Sequence, residues 1–132
     1  MRALLILLIV PISSIATMAQ SCTKTIIVKS DTIFVDPEKV AYSEEGLELY
    51  MGWISNHMDQ KLKSYDESPK KVYLSFIVDE HGHKSNITIE KGLGNPYDRE
   101  AIRLVKKHPH RWIPGKCGTR NVKSKVISFV FF

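Results

Sequence analysis

Histidines occur in two closely spaced pairs whose side chains have metal-binding chemistry. His81-Gly82-His83 lies in a predicted turn, and His108-Pro109-His110 follows a predicted helix. Imidazole nitrogens bind Zn²⁺ and Cu²⁺, and a returning strand and helix would bring both pairs to one end of the domain. However, their spacings match no closed structural site. We therefore predict surface histidines and a helix end, and no cofactor. The alternative is a periplasmic metal binder that uses His81, His83, His108 and His110.

The chain has two cysteines, Cys22 and Cys117. In an exported protein they could form a disulfide, but the sequence leaves this open. Two cysteines alone fall short of the four ligands of a structural zinc site. The small residues before Cys22 also resemble a bacterial lipoprotein cleavage site, although Gln20 fits that pattern poorly. Lipidation of Cys22 is therefore a second hypothesis for this residue.

No catalytic arrangement is evident. The sequence contains neither Gly-x-Ser-x-Gly nor a Ser-His-Asp order. Cys117 lies within ten residues of His108 and His110, but its glycine-bounded loop favours turn geometry over a thiol nucleophile. Gly92 and Gly94 are not followed by the Lys-Ser/Thr of a phosphate-binding loop. We predict that the protein is not an enzyme.

Basic residues concentrate near the end of the second predicted helix, where Arg103, Lys106 and Lys107 precede Arg111 and Trp112. A helix C-terminus favours positive charge, which accounts for the lysines, and a tryptophan in this position is more typical of the core. The formal net charge of +5 is modest. It is compatible with an acidic partner or membrane face and requires neither. We expect no nucleic-acid partner.

The first residues predict export. Met1-Arg2 precedes an apolar run of about a dozen residues that ends in small residues, which is typical of a secretory signal. The run is shorter than the roughly 20 apolar residues of a stable membrane span. We predict a signal peptide over residues 1–19, and an uncleaved anchor is the alternative. The expected location is the periplasm or a membrane anchor that faces it.

The rest of the chain indicates two helices and three main strands. Apolar residues recur at helical spacing over 46–62, with Ser43 as an N-terminal signal. They alternate with polar ones over 72–91, around a turn at Asp79-Glu80-His81-Gly82, which predicts a hairpin. A second helix is expected over 96–107, with Asn95 as N-cap, Asp98 completing a capping box and Pro109 as the stop. Residues 122–132 predict a last strand. Residues 23–35 fit either a short hairpin or an extended leader.

From residue 72 onward the chain resembles the TonB C-terminal domain of Gram-negative periplasmic proteins. Four blocks carry the resemblance: "VYLSFIVDEHG", "NITIEKGLG", "YDREAIRLVKKHPHRWIPGK" and "VKSKVISFVFF". Residues 47–62 also look like the amphipathic helix that precedes the hairpin in relatives. The resemblance implies an α+β fold with a three-stranded antiparallel sheet in the order α-β-β-α-β. The resulting division is a signal peptide at 1–19, an extended segment or linker at 20–45 and the domain at 46–132.

The resemblance also implies a function in TonB-type transmembrane transport. Family members bind an extended peptide of an outer-membrane transporter by strand addition along the closing strand. In this chain we expect that edge to be long and apolar, with Val126, Val130 and Phe132 facing outward. The expected contact residues are Lys123, Ser124, Lys125, Val126, Ile127, Ser128 and Val130.

Several features depart from the family's pattern. No proline-rich spacer is present, and the Tyr-Pro pair common before the first strand is replaced by "SYDESPKK". Force transduction is therefore not part of the prediction. The partner is expected to be an outer-membrane transporter or another envelope protein, or a second copy of the chain through the C-terminal strand. We expect the chain to contact the membrane only through the signal, an anchor or a lipidated Cys22. Two alternatives remain: residues 23–35 cover the edge themselves, or the chain is an accessory envelope lipoprotein without transport coupling.

Overall fold

The computed structural model describes residues 22–64 and 68–132. The predicted signal peptide lies outside them. The elements are β1 (Thr25–Val28), β2 (Asp31–Phe34), β3 (Tyr42–Ser43), α1 (Leu47–His57), a 3₁₀ turn (Gln60–Leu62), β4 (Lys71–Val78), β5 (Lys84–Lys91), α2 (Tyr97–Lys107), β6 (Trp112–Ile113), β7 (Gly115–Cys117), β8 (Arg120–Val122) and β9 (Ser124–Phe131).

The main sheet has five strands in the order β1-β2-β9-β4-β5. Its centre matches the prediction, because β4 pairs antiparallel with both β5 and β9. The α+β class is therefore confirmed, but the prediction of a three-stranded, wholly antiparallel sheet is wrong. The additional strands come from residues 25–34, which form the hairpin alternative, and β2 runs parallel to β9. Two short ladders, β3-β6 and β7-β8, complete the strands.

One face of the sheet carries the core. Alternate residues of β4 (Val72, Leu74, Phe76 and Val78) are almost fully buried, as the period of two requires. Tyr50 and Ile54 of α1 and Ala101, Leu104 and Val105 of α2 pack in the same cluster. Both helices therefore lie on this face.

The helix boundaries differ from the predicted ones. Helix α1 ends at His57 instead of residue 62, and Ser43 lies buried in β3 and is not its cap. At α2 the prediction of an Asn95 cap is wrong. Asp98 instead accepts hydrogen bonds from the N–H groups of Leu93 and Gly94. Its carboxylate therefore binds the backbone of the preceding loop and does not form the expected capping box.

The end of α2 lies where the sequence predicted it. Helix α2 ends at Lys107, and His108 takes a non-helical conformation before Pro109.

The β4-β5 turn is closed by Gly82. Gly82 has a φ of 85°, and its N–H donates a hydrogen bond to the carbonyl of Asp79. The Gly82 carbonyl in turn accepts the N–H of Trp112. The turn and the segment after α2 are thereby joined, which sets the course of the chain toward β9.

Candidate functional site

Strand β9 is paired with β4 along one side, but on its other side it is paired only near its beginning. On the β4 side it is paired along its whole length. On the other side β2 contributes a single pair, Phe34 with Ser124. After Phe34 the chain turns away through Asp36 and Pro37. Among the residues that the structure describes, no strand pairs with residues 125–131 on that side.

The backbone of β9 defines which groups this open edge presents. The N–H of Phe132 donates to the Lys70 carbonyl at 2.8 Å, and the Lys123 carbonyl accepts the N–H of Phe34 at 2.9 Å. Backbone groups of successive strand residues point to opposite sides. The even-numbered residues of β9 therefore bond toward β4. Lys125, Ile127, Phe129 and Phe131 direct their N–H and C=O groups to the open edge.

An apolar groove runs beside this edge. Its volume is about 350 Å³. It is bounded on one side by residues 126–129 and on the other by Leu47, Tyr50 and Met51 of α1, by Trp112 and by residues 41–43. Leu47 is one of the apolar residues at helical spacing over 46–62, yet it is 72% exposed. Exposed apolar groups next to unpaired backbone are the two components of a strand-addition site.

Buried polar atoms of three groove residues lack a partner. Ser43 Oγ, the Tyr50 hydroxyl oxygen and Trp112 Nε1 are all buried without a hydrogen-bond partner of normal geometry among the described residues. Such atoms are uncommon in folded proteins. Burial raises the pKa of the nearby Tyr50 phenol, and the Ser128 hydroxyl opposes this effect. The surface of the groove is therefore apolar, and these unpaired polar atoms are buried beneath it.

The face of β9 away from the helices is aromatic. Ile127 is 68% exposed, and Phe129 and Phe131 contact each other edge to face with ring centroids 4.9 Å apart. Lys71 Nζ lies 4.8 Å from the Phe131 ring centroid, a cation-π distance. The expectation that Val126, Val130 and Phe132 face outward is wrong, because Val130 and Phe132 are buried and Val126 packs against the core.

The seven predicted contact residues fall into three groups. Lys123 and Ser124 already contact β2, through the Lys123–Asp31 ion pair at 2.7 Å and the Phe34–Ser124 pairing. Val126, Ser128 and Val130 direct their backbone toward β4. Lys125 and Ile127 present backbone groups at the open edge. Phe129 and Phe131 do the same and were missed, although the period-two pattern of β9 contained the signal.

The remaining sheet edge on the β4 side is formed by β5, and it has a different character. Its residues are mainly polar or charged, as its sequence KSNITIEK shows, and most are exposed. Charged side chains on an edge strand discourage pairing with other chains. Of these two edges, the open edge of β9 is therefore the better candidate for peptide binding.

The four histidines do not assemble into a metal site. His108 is buried, and its Nε2 contacts Glu45 Oε1 while Tyr50 and Trp53 pack edge-on against its ring. His83 Nδ1 lies 3.3 Å from Asp79 Oδ2 instead. No group of three or more His, Cys, Asp or Glu residues within 22–64 and 68–132 is placed to hold a metal ion. The four-histidine alternative therefore stays a hypothesis without a metal-binding arrangement among the described residues.

Cys22 and Cys117 form a disulfide with Cα atoms 6.0 Å apart. The Cys22 sulfur is therefore committed, and a lipid thioether at this position is incompatible with the bond. The bond also ties the start of the described chain to the end of β7. The predicted linker at 20–45 is part of the fold from Cys22 onward, since it supplies β1, β2 and β3.

Comparisons with family models, curated proteins and solved structures give no match. The resemblance to the TonB C-terminal domain thus rests on the four sequence blocks. In the part of the chain that the structure describes, no helix has the length and apolar character to cross a membrane.

Proposed function

We propose that this chain is an envelope protein-binding module that takes an extended peptide as an additional strand along the open edge of β9. The observation that carries the proposal is that no strand within residues 22–64 and 68–132 pairs with residues 125–131 on the side of the apolar groove. The resemblance to the TonB C-terminal domain makes an outer-membrane transporter, or another envelope protein, the partner class to test first. Binding, and not catalysis, is the proposed activity.

The backbone would supply most of the affinity. Lys125, Ile127 and Phe129 each offer one N–H and one C=O to an incoming strand. A net hydrogen bond contributes about 0.5–1.5 kcal/mol, and a partner left unpaired costs about 1–3 kcal/mol. Alternate side chains of the peptide would enter the groove near Leu47 and Trp112, which gives selectivity for apolar residues.

A proline at residue 127 tests the backbone contribution. Proline is tolerated at an edge where the N–H faces solvent, so Ile127→Pro removes one donor from the open edge and spares the β4 ladder. Ile127→Ala is the matched control, because it loses the side chain and keeps the N–H. A randomised library of extended peptides would be selected against the wild-type protein, and binding would then be measured to both variants.

We expect selected peptides to bind Ile127→Pro about ten- to a hundredfold more weakly than Ile127→Ala. Thermal unfolding of both variants checks that the fold persists. Equal binding of the peptides to the two variants would contradict strand addition at this edge. If the wild-type protein is a dimer in sedimentation and Ile127→Pro is a monomer, then the occupant is a second copy of the chain.

A further inference from the structure

A second cleft lies beside the turn between β4 and β5. It has a volume of about 360 Å³ and lies where the β4-β5 turn meets the end of α2. Its basic lining residues are His83, Lys84, Lys106, His108, His110 and Arg111, and the others are Gly82, Ile87 and Pro109. None of the described residues that line it is acidic.

The position of Lys84 is fixed by the helix end. Its ammonium donates to the carbonyls of Val105 at 2.8 Å and His108 at 3.1 Å. The Val105 carbonyl belongs to the last turn of α2 and the His108 carbonyl to its C-cap, and a cation is favoured at such a helix end. An ammonium group has three N–H donors, so Lys84 retains one beyond these two bonds.

The nearby carboxylates are already engaged by histidines. Glu45 contacts the Nε2 atoms of His108 and His110, and Asp79 contacts His83 Nδ1. Because Glu45 binds the buried His108 ring, His108 contributes its main chain to the cleft and not its imidazole. The groups available to a ligand are then Lys84, Lys106 and Arg111, with the half-exposed imidazoles of His83 and His110 at the rim.

We propose that this cleft binds an oxyanion of the phosphate class, either free or as part of a lipid headgroup. Several convergent N–H donors and a guanidinium are the groups that recognise such oxygens. The cleft is too small for a folded partner and has no acidic lining residue to repel an anion. This inference is independent of peptide binding at β9.

The charge state of Lys84 is consistent with the inference. Burial lowers its pKa to about 8, so its charge is only partly compensated in the absence of a counter-ion. A bound anion would stabilise the ammonium and raise that pKa. Binding near pH 8 should therefore be accompanied by proton uptake.

The test is a titration of the protein with inorganic phosphate at constant pH and ionic strength, followed by the NMR signals of His83, Lys84 and His110. We expect saturable chemical-shift changes, and an affinity for phosphate that is about tenfold weaker in Arg111→Gln. Lys84→Gln is the second variant, with thermal unfolding to check the end of α2. Arg99→Gln, an exposed charge elsewhere on the same helix, is the matched control and should bind as the wild type does.

A parallel arm measures binding to phosphatidylcholine vesicles with and without phosphatidate. Saturable binding of inorganic phosphate supports a free anion. Binding only to phosphatidate vesicles, with the same dependence on Arg111, supports a headgroup. Absence of binding in both arms would overturn the proposal, as would an equal loss in Arg99→Gln, which would indicate general charge attraction.

Discussion

Removal of the Cys22–Cys117 disulfide should strongly destabilise the fold. The two residues are 95 positions apart, so the bond closes a loop that includes β1 through β7. For a loop of this size, chain entropy alone gives a stabilisation of about 4.7 kcal/mol. This is a large part of the roughly 5–15 kcal/mol stability of a typical domain. We therefore expect the double variant Cys22→Ser/Cys117→Ser to lose about 3–5 kcal/mol of unfolding free energy.

Urea unfolding followed by far-UV circular dichroism measures this difference. Wild-type protein under reducing conditions is the control and should match the double variant, because both lack the bond. A loss below about 1 kcal/mol, with an unchanged denaturant slope, would refute the reasoning. It would mean that the bond fastens only a terminal segment that opens independently of the rest.

Two further perturbations test the turn and the buried histidine. Gly82→Ala should cost about 2–4 kcal/mol, because a Cβ would both strain a positive φ and collide with the Trp112 carbonyl; Gly94→Ala, with a similar φ and open space around it, should cost only about 1 kcal/mol. Thermal unfolding compares the two, and equal losses would contradict the close approach. Burial lowers the pKa of His108, Glu45 opposes this, and Lys84 and His110 add to it. Since the folded protein disfavours the charged ring, stability should be full above the unfolded value of about 6.5 and fall as pH drops below it. Urea unfolding across this pH range should show a smaller loss of stability in His108→Gln. An unchanged pH dependence in this variant would contradict the role given to His108.

The local parts of the fold could be predicted from periodicity. The alternation of Val72, Leu74 and Phe76 predicted a buried strand, and Gly82 predicted the turn that follows it. The helical spacing of Leu104 and Val105 and the stop at Pro109 predicted α2. In each case the signal lies within a few residues of the feature that it predicts.

The face of β9 could not be assigned in this way. Both sets of alternate residues are apolar, with Val126, Val130 and Phe132 on one face and Ile127 and Phe129 on the other. The pattern therefore gives the period but not the direction. Two helices cover only one face of β4, and that arrangement buries Val130 and leaves Ile127 exposed.

Long-range contacts were also beyond the sequence. The parallel pairing of Phe34 with Ser124 and the Lys84 bonds to the end of α2 join distant segments. Two cysteines allowed a disulfide without requiring it. The sequence predicted a binding site on this strand, which stays a prediction, and the extent of the open edge follows from where β2 stops.

Amide hydrogen exchange along β9 tests the central claim most directly. In the free protein, the N–H groups of Ile127 and Phe129 should exchange fast, while those of Ser128 and Val130, which bond toward β4, should be protected. A selected peptide should slow the exchange of Ile127 and Phe129 and leave the other two unchanged. Equal protection of all four amides in the free protein, or no change at Ile127 and Phe129 with peptide bound, would contradict strand addition at this edge.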